Sequence, residues 1–182
     1  MNSSSPSKLS EIETKLLEFF FENSGKEFFE KEVRVQSKIS AGATNKYLKS
    51  LTDKNLLLHR KIGRMNFYKL NKEDELVKQM KKTYTLSLPF MQKIKESAKE
   101  INMEIYLYGS CARGEDNEKS DVDLLVIGNI EPKESERFFS PIRKISKKPI
   151  KVSLFTKIEW LSMKKKDMAF FERVEKDKIR IV

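Results

Sequence analysis

The run Ser120-Asp121-Val122-Asp123-Leu124-Leu125-Val126-Ile127 constrains this chain more than any other segment. Successive side chains of a strand point to opposite faces, so Asp121 and Asp123 share one face while Val122 and Leu124 point into a core. Two carboxylates on one face repel unless a cation lies between them. Oxygen ligands suit Mg²⁺, which commonly takes one or two carboxylates plus the phosphates of a substrate. Upstream, Ile105-Tyr106-Leu107-Tyr108 reads as a buried strand, and Gly109-Ser110 turns sharply out of it to open a helix. Backbone amides clustered at such a turn, with a glycine allowing close approach, form a phosphate cradle. Together the two halves describe a site for a nucleoside triphosphate and its metal.

Gly109-Ser110, then ten residues, then Asp121-Val122-Asp123 resembles the signature of the DNA polymerase beta-like nucleotidyltransferase superfamily. With Ala112-Arg113-Gly114 and Ser120, the string looks like its minimal nucleotidyltransferase branch, over about residues 105–182. The resemblance implies an α/β (α+β) domain with a mixed sheet and flanking helices. It also implies two Mg²⁺ ions bridging a triphosphate, with Asp121 and Asp123 as metal ligands and catalytic residues. Gly109 and Ser110 would hold the β- and γ-phosphates. A third carboxylate on a later strand would activate the attacking hydroxyl and complete the second metal site. The third strand here reads Lys151-Val152-Ser153-Leu154-Phe155, and Ser153 stands where that acid belongs. A neutral hydroxyl replaces neither a strong Mg²⁺ ligand nor a base. Arg113 reads equally as a bidentate triphosphate contact or a surface cation. Lys119 reads as surface. Cys111 reads as a packing residue, since no histidine lies near it in sequence. Tyr108 fits either the core or a nucleotide-facing ring.

The first part of the chain has a different pattern. Ser10 and Glu13 stand at capping-box spacing, and Ile12, Leu16, Leu17 and Phe20 recur at helical spacing. A connection at 27–30 follows, with Phe28 and Phe29 as core anchors, then a short helix to about Ser37. Ser40-Ala41-Gly42-Ala43 reads as a turn, and a third helix carries Thr44, Tyr47, Leu48 and Leu51 to Lys54-Asn55. Strands at 56–61 and 65–70 flank the tight turn Ile62-Gly63-Arg64. Three helices followed by a hairpin resemble a winged helix-turn-helix, most closely over residues 39–70. That resemblance implies a third helix in the major groove of double-stranded DNA and a wing on the backbone or minor groove. Thr44, Asn45, Lys46 and Lys49 on the helix, and Arg60, Lys61 and Arg64 on the hairpin, are the expected DNA contacts.

The expected organisation is a winged-helix domain over 1–72, a helical linker over 73–101 and a nucleotidyltransferase-like domain over 102–182. Pro89 implies two linker helices, or one kinked at Leu88-Pro89. Beyond 128, a helix is expected at 132–145, a strand at 150–155, a helix at 158–174 and a closing strand at 179–182.

The net charge of +10 points to nucleic acid or phosphate-bearing ligands, or to the Lys/Glu-rich surface of a heat-adapted or AT-rich organism. Residues 1–72 hold 14 basic and 8 acidic residues, so the first part carries more than half of the surplus. One cysteine builds neither a disulfide framework nor a Cys-rich zinc cluster. No apolar run is long enough to span a bilayer, and the polar start lacks a secretory pattern. The expectation is a cytoplasmic protein with nucleoside triphosphate and DNA as partners, able to form a homodimer. Two functions follow: transfer of a nucleoside monophosphate, or DNA-binding regulation with a degenerate or nucleotide-sensing second domain. A toxin–antitoxin-like partner role is a weaker third.

Overall fold

The computed structural model describes residues 9–98 and 103–182. The expected polar start over Met1–Ser7 and the linker end at Ile101 lie outside the described residues. The chain divides into two compact units, Met1–Val77 and Lys78–Val182.

The first unit runs α1 (Glu11–Glu22), β1 (Glu27–Phe29), α2 (Glu30–Ser37), α3 (Ala41–Asp53), β2 (Leu57–Ile62) and β3 (Met65–Leu70). The helix α1 begins at the anticipated capping box. The Ser10 amide donates to Glu13 Oε2 (2.8 Å), and the Glu13 amide donates to Ser10 Oγ (3.3 Å). Its apolar stripe buries Leu16, Leu17 and Phe20 with Phe28, Val33, Leu48 and Leu51 also buried. The expected connection at 27–30 is instead a strand over Glu27–Phe29, and Glu30 already opens α2. The strand pairs with β3, giving an antiparallel sheet of order β1-β3-β2. Strand formation follows from Phe28, whose ring packs 4.9 Å from Phe19 while its backbone pairs opposite Tyr68. The expected turn at 40–43 is only its first residue. Ser40 is the helix cap and α3 starts at Ala41.

The second unit contains most of α4 (Glu75–Ser87), then α5 (Pro89–Ser97), β4 (Met103–Tyr108), α6 (Gly109–Arg113), β5 (Val122–Gly128), α7 (Pro132–Ile145), β6 (Ile150–Phe155), α8 (Lys157–Lys166), α9 (Met168–Asp177) and β7 (Ile179–Arg180). Pro89 starts a new helix at its first position, where a missing amide costs nothing. The sheet order is β6-β5-β4-β7; β5 and β6 are parallel, and the other pairs antiparallel. It is therefore a mixed sheet with flanking helices. One face packs Ile105, Leu107, Val122, Leu124 and Val126 against Phe90, Met91 and Ile94 of α5 and Phe139 and Ile142 of α7. The other packs Leu125 and Ile127 against Trp160 and Val174. The expected helix over 158–174 is interrupted. Asp167 ends α8 and caps α9 by accepting the Phe170 amide (2.9 Å), and the break lets Phe171 pack on Trp160 (centroids 5.1 Å). Among the described residues no helix is long and apolar enough to cross a membrane.

Candidate functional site

Tyr108 at the end of β4 is paired in register with Asp123 on β5. The chain then turns at Gly109 (φ +74°) into α6, a five-residue helix, so Gly109 passes directly over Asp123. A helix this short has little dipole of its own, so what the turn offers is the close approach of backbone to carboxylate. The loop from Gly114 to Ser120 returns the chain to β5. It is held by Ser120 Oγ accepting from the Asn117 amide (3.0 Å) and Asn117 Oδ1 accepting from the Lys119 amide (2.9 Å). The Cys111 thiol donates to the Asp121 carbonyl (3.4 Å). Burial pushes that thiol up to about 12, so it is an inert packing residue at neutral pH.

The strand thus brings Gly109, Ser110, Asp121 and Asp123 to one end of the sheet. Burial raises the Asp123 pKa, and the Asp121 charge adds to the rise, while Lys151 opposes it. Asp121, half-buried like Asp123, pairs with the Lys151 ammonium (Nζ–Oδ2 2.5 Å). Ser153 shares a strand face with Lys151, and its hydroxyl is hydrogen-bonded to the Tyr108 hydroxyl (3.0 Å). Tyr108 also packs edge-on against Phe170 (6.1 Å), so its ring is half-enclosed on the site face of the sheet. Arg113 donates to Glu115 (2.7 Å) and to Asp177 (2.9 Å), both of which raise its pKa. Its guanidinium is already committed to two carboxylates, which favours the structural reading over a triphosphate contact.

Two carboxylates on one face suit a single divalent ion completed by substrate phosphates. A second ion needs the acid that Ser153 lacks. Among the described residues no group of three or more His, Cys, Asp or Glu side chains could hold a metal ion. Asp121 and Asp123 are the two carboxylates at this end of the sheet, and Ser153 beside them adds none.

The sequence reading missed a buried charge cluster behind this loop. Lys81 Nζ meets Asp116 Oδ1 (3.2 Å) and also donates to the Asp116 carbonyl. Lys148 donates to the other carboxylate oxygen of Asp116 and to the Asn117 carbonyl. Burial lowers the Lys81 pKa and Asp116 opposes that shift. Gly114 stands against the Lys78 carbonyl. These contacts anchor the loop between Ser110 and Asp121, and they join residues more than thirty positions apart. No local pattern announces them.

In the first unit the expected DNA contacts fall into two groups. Lys46, Lys49, Lys61 and Arg64 are exposed. Thr44 is fully buried, and its hydroxyl donates to the Ser40 carbonyl (2.9 Å), so it faces the core and cannot reach a groove. Asn45 donates to Glu30 (3.0 Å), and Arg60 forms a two-pronged pair with Glu27. Lys54, at the end of the same helix, is bound to buried Glu13 (2.5 Å). The free basic surface is therefore smaller than the sequence implies.

No curated protein matches the chain. A crystal structure described as a "putative nucleotidyltransferase" from Sulfolobus solfataricus matches at 20% identity, covering 57% of this chain and 84% of that one. The two superpose with a TM-score of 0.35. Residues 91–176, just under half of the chain and including Gly109, Ser110, Asp121, Asp123 and Ser153, match the family model of the nucleotidyltransferase domain.

Proposed function

We propose that this protein is a nucleotidyltransferase whose site lies at Gly109, Ser110, Asp121 and Asp123, joined to a winged-helix domain that binds double-stranded DNA. The observation that carries the reading is the approach of Gly109 to the Asp123 carboxylate within a stretch matching the nucleotidyltransferase domain. The reaction is attack of an acceptor hydroxyl on the α-phosphate of a nucleoside triphosphate, with pyrophosphate leaving. Asp121 and Asp123 would hold one Mg²⁺, which would supply charge neutralisation on the phosphates. Gly109 permits backbone approach to the phosphates, where a side chain would intrude. Arg113 supports α6 through Glu115 and Asp177. Ser153 supplies no base, so the acceptor proton passes to solvent or to a group on the acceptor, and transfer is slow.

The test is incorporation of labelled nucleotide by the full chain with Mg²⁺. Incorporation should be lost in Asp121→Asn/Asp123→Asn. Equal incorporation by that variant would remove the assignment.

Ser153 favours a second reading, in which the domain binds nucleotide without transferring it and the protein acts as a DNA-binding regulator. The order α1-β1-α2-α3-β2-β3 with exposed Lys46, Lys49, Lys61 and Arg64 supports the DNA half of both readings. Nucleotide binding by the wild type with no turnover on any acceptor would favour the regulator. Duplex binding that does not weaken with salt would argue against DNA as the partner.

A further inference from the structure

Lys151 stands where the acidic pair needs a cation. Strands β5 and β6 are parallel, and Lys151 is the register partner of Asp123. Alternation puts its side chain on the face that carries Asp121 and Asp123. Its ammonium lies 2.5 Å from Asp121 Oδ2, and its side chain is 68% exposed, against 26% for Asp121.

A divalent ion binds carboxylate oxygen at about 2.0–2.1 Å. An ion on the same Asp121 oxygen would stand beside the ammonium, where like charges repel. The two cations therefore exclude each other from Asp121. Departure of Lys151 costs little, because its stem already lies in water and a solvated ion pair is weak.

We propose that Lys151 is a tethered counter-cation that competes with the divalent ion for Asp121 and so sets the metal affinity of the site. The inference rests on the reading of Asp121 and Asp123 as the metal-binding pair. In the metal-free protein the lysine relieves the repulsion between the two acids. Metal enters by exchange with it, not by filling an open cage. The resulting site responds to metal concentration over a weaker range than two unguarded carboxylates would.

The experiment is titration of the full chain with Mn²⁺, reading free Mn²⁺ by electron paramagnetic resonance. Wild type, Lys151→Met, Lys151→Gln, Lys151→Arg and Asp121→Asn/Asp123→Asn are compared, each checked for folding by circular dichroism. Lys151→Met and Lys151→Gln should tighten Mn²⁺ binding by roughly two- to fivefold, the scale of losing one exposed ion pair. Lys151→Arg, which keeps the charge, should stay near wild type. The gain should shrink as salt screens the pair. Unchanged affinity in both neutral variants, with binding still lost in Asp121→Asn/Asp123→Asn, overturns the role of Lys151 and leaves the site reading intact. Mn²⁺ binding that survives Asp121→Asn/Asp123→Asn overturns the site reading, and this inference with it.

Discussion

Gly109 lies against the carboxylate of Asp123: a Cβ built on Gly109 would stand 2.7 Å from Asp123 Oδ2. The contact arises because β4 turns into α6 immediately after Tyr108, the register partner of Asp123. Alanine at 109 must also adopt φ +74°, a left-handed backbone that L side chains resist. Gly109→Ala should cost about 1–3 kcal/mol of stability from this strain. It should also displace Asp123 and weaken Mn²⁺ binding. Urea unfolding and Mn²⁺ titration read the two effects separately.

Gly114 is more tightly enclosed. A Cβ there would come 2.3 Å from the Lys78 carbonyl oxygen, which is backbone and cannot swing aside. Its φ of +71° adds strain. Gly114→Ala should therefore cost more than Gly109→Ala, roughly 3 kcal/mol or more when overpacking and strain combine. A smaller loss than in Gly109→Ala, by chemical denaturation, would contradict this ordering.

Glu13 ties the start of α1 to α3. Burial alone would raise its pKa, but Lys54, the Ser10 amide and hydroxyl, and Ser50 outweigh it and lower the value to about 2. A carboxylate depressed in the folded state binds fewer protons there than in the unfolded chain near pH 3–4. Its contribution is present above the ordinary value of 4.5 and is lost as pH falls toward 2. Glu13→Gln should destabilise the protein by ~2–3 kcal/mol at neutral pH. It should also flatten the acid limb of the stability profile between those values. Thermal unfolding of both proteins across that range tests it.

Ser153→Asp restores a carboxylate on the strand face that carries Asp121 and Asp123, at the cost of the Tyr108 hydrogen bond. If the missing base limits transfer, Mg²⁺-dependent incorporation should rise by at least tenfold, given that general bases contribute about 10²–10⁴-fold. Single-turnover assays with wild type alongside read the gain. No gain would support the non-transferring reading.

Arg60 and Arg64 should separate in DNA binding. Arg64 is exposed at the hairpin turn, whereas Arg60 is held by Glu27 and lies over the Phe67 ring (5.4 Å). Arg64→Ala should weaken duplex binding and reduce the salt slope by about 1. Arg60→Ala should change affinity less. Fluorescence anisotropy across salt concentrations distinguishes them, and equal effects would mean that Glu27 releases Arg60 on binding.

The candidate site was legible where its chemistry follows from local pattern. Alternation alone put Asp121 and Asp123 on one face, and the Gly-Ser turn before them marked the approach to it. The same reading was weaker for the basic residues. Thr44 and Asn45 look free in sequence, yet Thr44 is turned inward to satisfy the Ser40 carbonyl and Asn45 is taken by Glu30. Helical spacing names a face, but which face is buried depends on what packs against it.

By itself the sequence determined the carboxylate pair, the glycine turn and the absence of an acid at Ser153, but it showed neither β1 nor the break between α8 and α9 at Asp167. The features it did determine are properties of neighbours within a few residues. Only the tertiary structure decided that Lys151 meets Asp121, that Lys81 and Lys148 converge on Asp116, and that Arg113 is spent on Glu115 and Asp177. Strand register and helix packing choose those partners. A lysine in a sequence rich in both charges carries no mark of the carboxylate it will find.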